Sequence, residues 1–274
     1  MSMYKPGTAF ITGASGGIGA AFAHQLAKKK KNLILVDKQK ERLAALAATL
    51  QHHHFITVEI LTADLSNPVD IERVENRIAE IEVLDTLINN AGFGTSDNFV
   101  EIGLAKQIDM IHVHIIASVR FCRAALPGMV MRRDGSIINV SSIGAFKPIP
   151  GSVTYSATKA YLITFSEALQ TELTGTGVRV QALCPGFTNT DFHSTPEFVN
   201  FNRSRIPKVF WMSAEEVASK SLKALRKNQG VYIPGLKNRL LVILARITNR
   251  FPLVLTWIRK NLSNVTRSHR YDRE

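Results

Sequence analysis

Apolar residues gather into short runs without alternating polarity: FITG at 10–13, LILVD at 33–37, LINNAG at 87–92 and IINVSS at 137–142. A strand wetted on one side alternates apolar and polar positions, so unbroken runs predict strands covered on both faces. Seven strands are predicted, at Thr8–Thr12 and at residues 33–37, 55–61, 86–89, 136–141, 179–184 and 230–233. Helical periodicity fills the intervals, including residues 20–31, 104–123 and 153–174. Strands alternating with helices predict an α/β fold, a doubly wound parallel sheet of about seven strands with helices on both faces, because parallel neighbours require crossover connections. No repeat or linker interrupts the first 235 of the 274 residues, which reads as one domain followed by an extension over 236–274.

Net charge is +12, which by itself admits nucleic acid or an anionic membrane as partner. The distribution narrows this. From residue 236 onward nine Lys or Arg face only Asp272 and Glu274, so +7 of the excess sits in the extension. There Leu240, Ile243, Leu244, Ile247 and Phe251 keep helical spacing with Arg239, Arg246 and Arg250 on another side, a basic amphipathic helix suited to packing on the protein or to peripheral membrane contact. Arg246 and Arg250 interrupt it, and the uncharged run 251–258 is far too short to span a bilayer. Basic residues gathered in a tail, without interleaved aromatics, do not form a nucleic-acid groove. Lys28, Lys29, Lys30 and Lys31 fall where the first helix should end and complement its dipole. The start of the chain lacks a charged segment followed by an apolar one, which reads as a cytoplasmic protein. Cys122 and Cys184 have no metal-ligand spacing and are expected to be buried thiols, so no metal site is expected, and His52, His53 and His54 fall in an expected turn.

After the first strand comes Thr12-Gly13-Ala14-Ser15-Gly16-Gly17-Ile18-Gly19, opening a helix. Glycines allow a tight turn and close approach of a ligand, and a helix N-terminus offers unpaired N–H groups to a pyrophosphate. Asp37 ends the second strand at the distance expected for a carboxylate that holds a ribose, completing a Rossmann-type dinucleotide pattern. A 2′-phosphate there would meet like charge, which favours NAD; Lys38 keeps NADP open, although Gly16 leaves the turn without a basic side chain.

Tyr155 and Lys159 stand at i and i+4 of a predicted helix, so they share a face. An ammonium beside a phenol, helped by a positively charged nicotinamide ring, is expected to lower the phenol's pKa and fit it for proton transfer near neutral pH. Six aromatics, Phe187, Phe192, Phe198, Phe201, Phe210 and Trp211, follow the sixth strand and suggest a lid over a hydrophobic small-molecule substrate.

The glycine-rich spacing, Asn89-Asn90-Ala91-Gly92 after the fourth strand and Tyr155-x-x-x-Lys159 together resemble the short-chain dehydrogenase/reductase family over about 8–235. Within it, CPGFTNTDFH and YIPGLKNRLL look like a bacterial-type subgroup with broad, largely unassigned substrates. The resemblance implies hydride transfer between a nicotinamide cofactor and a secondary alcohol or ketone, with Tyr155 as acid/base, Lys159 beside it and Ser142, rather than Ser141, orienting the substrate. It implies cofactor contacts at Gly13, Ser15, Gly17, Ile18, Gly19, Asp37, Lys38, Asp64, Leu65, Asn90, Gly92, Tyr155, Lys159, Pro185, Gly186, Thr188 and Thr190. It places His114 where relatives carry an asparagine that supports a water chain to the lysine; a relay through His114 would carry a charge that changes near neutral pH. Homodimers or homotetramers through the helices at 104–123 and 153–174 are implied as well. A non-catalytic NAD(H) sensor is the alternative, but has no use for Ser142, Tyr155 and Lys159 together.

Overall fold

The computed structural model describes residues 7–195, 198 and 202–250, with residues 193 and 247–250 described by backbone alone. Seven parallel strands form one sheet: β1 (Thr8–Thr12), β2 (Asn32–Asp37), β3 (Val58–Thr62), β4 (Leu84–Asn89), β5 (Gly135–Val140), β6 (Val178–Leu183) and β9 (Val231–Tyr232). Their order is β3-β2-β1-β4-β5-β6-β9, so the winding direction reverses between β1 and β4 and opens a crevice beyond their C-terminal ends. Two further strands, β7 (Thr188–Asn189) and β8 (Met212–Ser213), pair in parallel outside the sheet.

Successive residues of the inner strands enter different apolar layers, which explains the missing alternation. Ile11, Leu33 and Leu35 pack with Phe22 and Leu26 of α1 (Gly17–Ala27) and with Val217 of α7 (Ala214–Arg226). Phe10, Ile34 and Leu87 pack on the opposite face with Ile71 of α3 (Pro68–Ala79) and Phe121 and Met129 of α5 (Ala117–Arg132). Each such fully buried side chain contributes about 1.5–3 kcal/mol. Asn67 caps α3, its side chain accepting from the Val69 amide, and Pro68 follows at a position that needs no N–H donor.

Between α4 (Leu104–Ile111) and α5 the chain makes a wider turn, His112–Ile116, without breaking the helical path. The continuous stretch Leu104–Arg132 is long and apolar enough to cross a membrane, but Met110, Ala117, Phe121 and Met129 are buried in this fold, the mark of a core helix. The remaining helices are α2 (Lys40–His54), α6 (Val153–Glu172) and α8 (Leu236–Arg250).

Three boundaries differ from expectation. The first helix runs Gly17–Ala27, because Lys30 takes a left-handed conformation (φ 60°) and ends the turn. His52, His53 and His54 form the last turn of α2, not a loop; the His53 Nδ1 lies 2.8 Å from the Thr49 carbonyl. Phe55 is the left-handed cap of that helix (φ 52°), so the third strand starts only at Val58.

Candidate active site

The glycine-rich turn lies against β4 so closely that side chains are barred. A Cβ on Gly13 (φ +63°) would stand 2.8 Å from the Ala91 Cα, and one on Gly19 would stand 2.1 Å from the Gly13 carbonyl oxygen. Asn90 fixes the turn from β4, its side-chain amide donating to the Thr12 and Gly13 carbonyls at 2.9 and 3.0 Å. Gly16 caps α1 with no side-chain bond, leaving the first N–H groups of that helix, at Gly17, Ile18 and Gly19, toward the crevice. Asp37 accepts from the Ser15 and Gln39 amides, both at 3.1 Å, which holds its carboxylate at the rim. Asp64, Leu65 and Lys38 line the same cleft. This cradle fits the diphosphate and ribose of a nicotinamide dinucleotide: glycines where bulk would collide, free helix amides, and a carboxylate at the second strand end.

One side chain here escaped the sequence reading. Arg42 of α2 reaches back until its guanidinium would be 3.1 Å from a Cβ on Gly16, and it pairs with Asp191 at 2.9 Å. The turn therefore has a basic neighbour despite Gly16. Only the packing of α2 on the sheet edge brings it there, and nothing in the local spacing signals that.

Ser142, Tyr155 and Lys159 converge at the end of β5. Ser142 Oγ accepts the Gly144 amide at 3.0 Å and is hydrogen-bonded to Tyr155, a bond that favours the phenolate. Ser141 is engaged elsewhere, donating to the Lys159 carbonyl at 2.7 Å. Lys159 donates to the Val140 carbonyl at 2.9 Å, with Nζ 5.7 Å from the Tyr155 ring centre. Burial pushes the Lys159 ammonium down to about 7. Burial also raises the Tyr155 phenol above its ordinary value, the Ser142 bond only partly opposing it. The expected lowering of Tyr155 by Lys159 is thus not found in the protein alone: desolvation of the phenolate is the largest influence, and Lys159 is not among the groups that move it.

His114 is fully enclosed. Its Nε2 accepts the Phe93 amide at 3.2 Å, so Nδ1 carries the proton and donates to Thr158 Oγ1 at 2.8 Å; that hydroxyl in turn donates to the Tyr155 carbonyl at 2.9 Å. Burial, and then the charge of Lys159, hold its pKa well below the ordinary histidine value. The charge change near neutral pH expected of a relay is therefore absent. A Cβ on Gly92 would lie 2.7 Å from His114 Nε2 and 3.2 Å from Lys159 Nζ, so only glycine fits between them and the crevice. His112 points away, its Nδ1 3.0 Å from the Ser66 carbonyl. Phe93 and Thr158, which fix the histidine tautomer, were not singled out by sequence.

These groups open into one cavity of about 1130 Å³ that runs from the glycine-rich turn past Pro185, Gly186, Thr188 and Thr190 to the lid. The lid aromatics divide into two groups. Phe192 packs at a tilt 6.0 Å from Tyr155 and 5.2 Å from Phe198, whereas Phe187 packs on Trp211 and Arg203 covers the Trp211 ring. Phe201 lies outside the described residues. Thr188 Oγ1 donates to the Gly186 carbonyl at 3.0 Å, and Thr190 stands over Gly17, joining the nicotinamide end of the cleft to the phosphate end. The far wall comes from α8 through Leu241, Val242, Leu244 and Ala245. Asn238 of α8, buried, abuts Gly186 and donates to the Pro234 carbonyl at 2.9 Å. Cys122 and Cys184 are buried, their thiols pushed up to about 12, and no metal-ligating group occurs among the described residues.

A sequence profile described as short chain dehydrogenase matches residues 7–197. Hydroxysteroid dehydrogenase-like protein 1 of Gallus gallus is 35% identical over 79% of this chain, and inactive hydroxysteroid dehydrogenase-like protein 1 of Homo sapiens 33% over 70%. The chain spans 65% and 59% of the length of those two relatives. Among solved structures, a short-chain dehydrogenase from Sphingobium yanoikuyae in complex with NADPH is similar at 33% identity and TM-score 0.78, covering 95% of this chain and 96% of that one. A bulky-bulky ketone specific alcohol dehydrogenase from Comamonas testosteroni is similar at 31% identity and TM-score 0.74, over 94% of both chains.

Proposed function

The chain belongs to the short-chain dehydrogenase family, a nicotinamide-binding oxidoreductase fold, and on that premise we propose that it interconverts a secondary alcohol and a ketone with apolar substituents. The observation that carries this reading is the meeting of the Ser142 hydroxyl and the Tyr155 phenol on the floor of the cavity, with Lys159 behind them. A bound nicotinamide would supply or accept the hydride at the carbinol carbon. Ser142 donates a hydrogen bond to the substrate oxygen and stabilises negative charge there. Tyr155 gives its proton to that oxygen in reduction and takes it back in oxidation. Lys159, titrating near 7, stands close enough to bias the phenol electrostatically. His114 acts as a neutral positioning residue that ties the loop at Phe93 to the helical turn bearing Tyr155.

The cofactor we assign is NAD, since Asp37 presents a carboxylate where a ribose hydroxyl is welcome and a phosphate is not, and Arg42 is held by Asp191. The substrate class follows from Phe192, Phe198, Leu241 and Ala245 around the cavity, and the ketone enzyme of Comamonas testosteroni supports it. Self-association is assigned to the outer faces of α4 and α6, where Leu104, Ile108, Val153 and Tyr161 are exposed.

A non-catalytic nucleotide-binding protein is the second reading, favoured by the relative from Homo sapiens named inactive. Oxidation of a panel of bulky and small secondary alcohols, with NAD and NADP in parallel, separates the two. Turnover lost in Tyr155→Phe with cofactor binding retained supports catalysis; cofactor binding without turnover on any alcohol or ketone supports the sensor.

A further inference from the structure

Helix α8 is apolar on the side that faces away from the protein. Its inward side carries Asn238, Val242 and Ala245, with Asn238 and Val242 buried. Half a turn round lie Leu236, Leu240 and Ile243, which are 76, 60 and 52% exposed, with Leu244 at the border toward the cavity. At 100° per residue those three fall within one arc of about a sixth of the circumference, with Lys237 to one side and Arg239 and Arg246 to the other. A soluble helix normally reverses this arrangement, so the outward face is built to be covered.

Charge decides by what. Residues 236–250 contain four Lys or Arg and no acid, and residues 251–274 add five against two acids. A second copy laid face to face would bring positive charge against positive charge. An anionic bilayer brings the opposite sign, and the basic borders of an apolar stripe match its headgroups. We propose that α8 docks in the plane of an anionic lipid surface, with its outward stripe among the acyl chains. Leu241, Leu244 and Ala245 of the same helix line the cavity beside Phe192 and Phe198. Docking therefore sets the substrate cavity one helix thickness from the lipid, and an apolar alcohol or ketone enters from the bilayer. Entry rests on the apolar substrate proposed above; docking does not.

The test is flotation of the full chain, without substrate, with vesicles of phosphatidylcholine alone or mixed with phosphatidylglycerol. The chain is expected to float with the mixed vesicles and to lose at least about tenfold in partitioning, about 1.4 kcal/mol, in Leu240→Asp/Ile243→Asp, neither residue lining the cavity. Leu240→Ser/Ile243→Ser serves if the aspartates disturb folding, checked by thermal melting and NADH binding. Absence of flotation, flotation unaffected by either double variant, or a dimer by light scattering that both variants dissolve would overturn the proposal. Because these readouts need no turnover, they stand whether or not the alcohol panel finds a substrate. For entry, oxidation of a long-chain secondary alcohol held in mixed vesicles is expected to fall in the variants while a water-soluble one is oxidised at the unaltered rate; equal rates on both overturn it.

Discussion

The ammonium of Lys159 lies 5.7 Å from the centre of the Tyr155 ring and donates its hydrogen bond to the Val140 carbonyl. The side chain is enclosed, and its burial works against its own charge. In the folded protein Lys159 titrates near 7 against 10.5 in an unfolded chain, so between those values the unfolded state binds more protons. This contribution is complete above 10.5, is lost as pH falls toward 7, and does not change further below it. Denaturant unfolding of the cofactor-free protein should therefore show stability rising from pH 7 to 9, relative to Lys159→Met, with a slope of at most about 1.4 kcal/mol per pH unit. Parallel pH profiles for the two proteins would contradict the buried charge.

Tyr155 is held above its ordinary pKa by burial, so the phenol keeps its proton through the neutral range. Ketone reduction should run at neutral pH, while alcohol oxidation should rise with pH as the phenolate becomes available. Tyr155→Phe should lower kcat by about 10²–10⁴-fold with NADH binding unchanged by fluorescence titration. Retained turnover would remove Tyr155 from the reaction.

His114 has both ring nitrogens committed and is held neutral. Replacement by Asn should leave the acidic limb of the pH–rate profile where it is. His114→Phe should destabilise the fold by about 1–3 kcal/mol, because it strands the Phe93 amide inside the protein. A shifted acidic limb in His114→Asn would restore the proton-relay role.

Asp37 faces the cleft between two backbone amides. Asp37→Ser removes the charge that repels a 2′-phosphate, and the ratio of kcat/KM for NADP over NAD should rise by about tenfold or more, about 1.4 kcal/mol. An unchanged ratio would pass the discrimination to Lys38 and Arg42.

The sheet and the placing of Tyr155 beside Lys159 were legible because both rest on local rules: unbroken apolar runs for strands covered on both faces, and an i, i+4 spacing for a shared helix face. Ser141 spends its hydroxyl on the Lys159 backbone, a contact that spacing along the chain does not show. What escaped depends on contacts distant in sequence. Arg42 meets Asp191 across 149 positions, and the state of His114 is set by Phe93 and Thr158 from two other segments. The burial of Tyr155 escaped as well, since spacing shows the neighbouring ammonium but not the depth at which the phenol lies.

The short ladder of Thr188 with Met212 and Asn189 with Ser213 pins the two ends of the lid beside each other, outside the main sheet. Between those pins the lid still touches the framework, through Phe192 beside Tyr155 and Asp191 paired with Arg42. A lid of different composition between Asn189 and Met212 would therefore change the walls of the cavity and the surroundings of the Tyr155 phenol together.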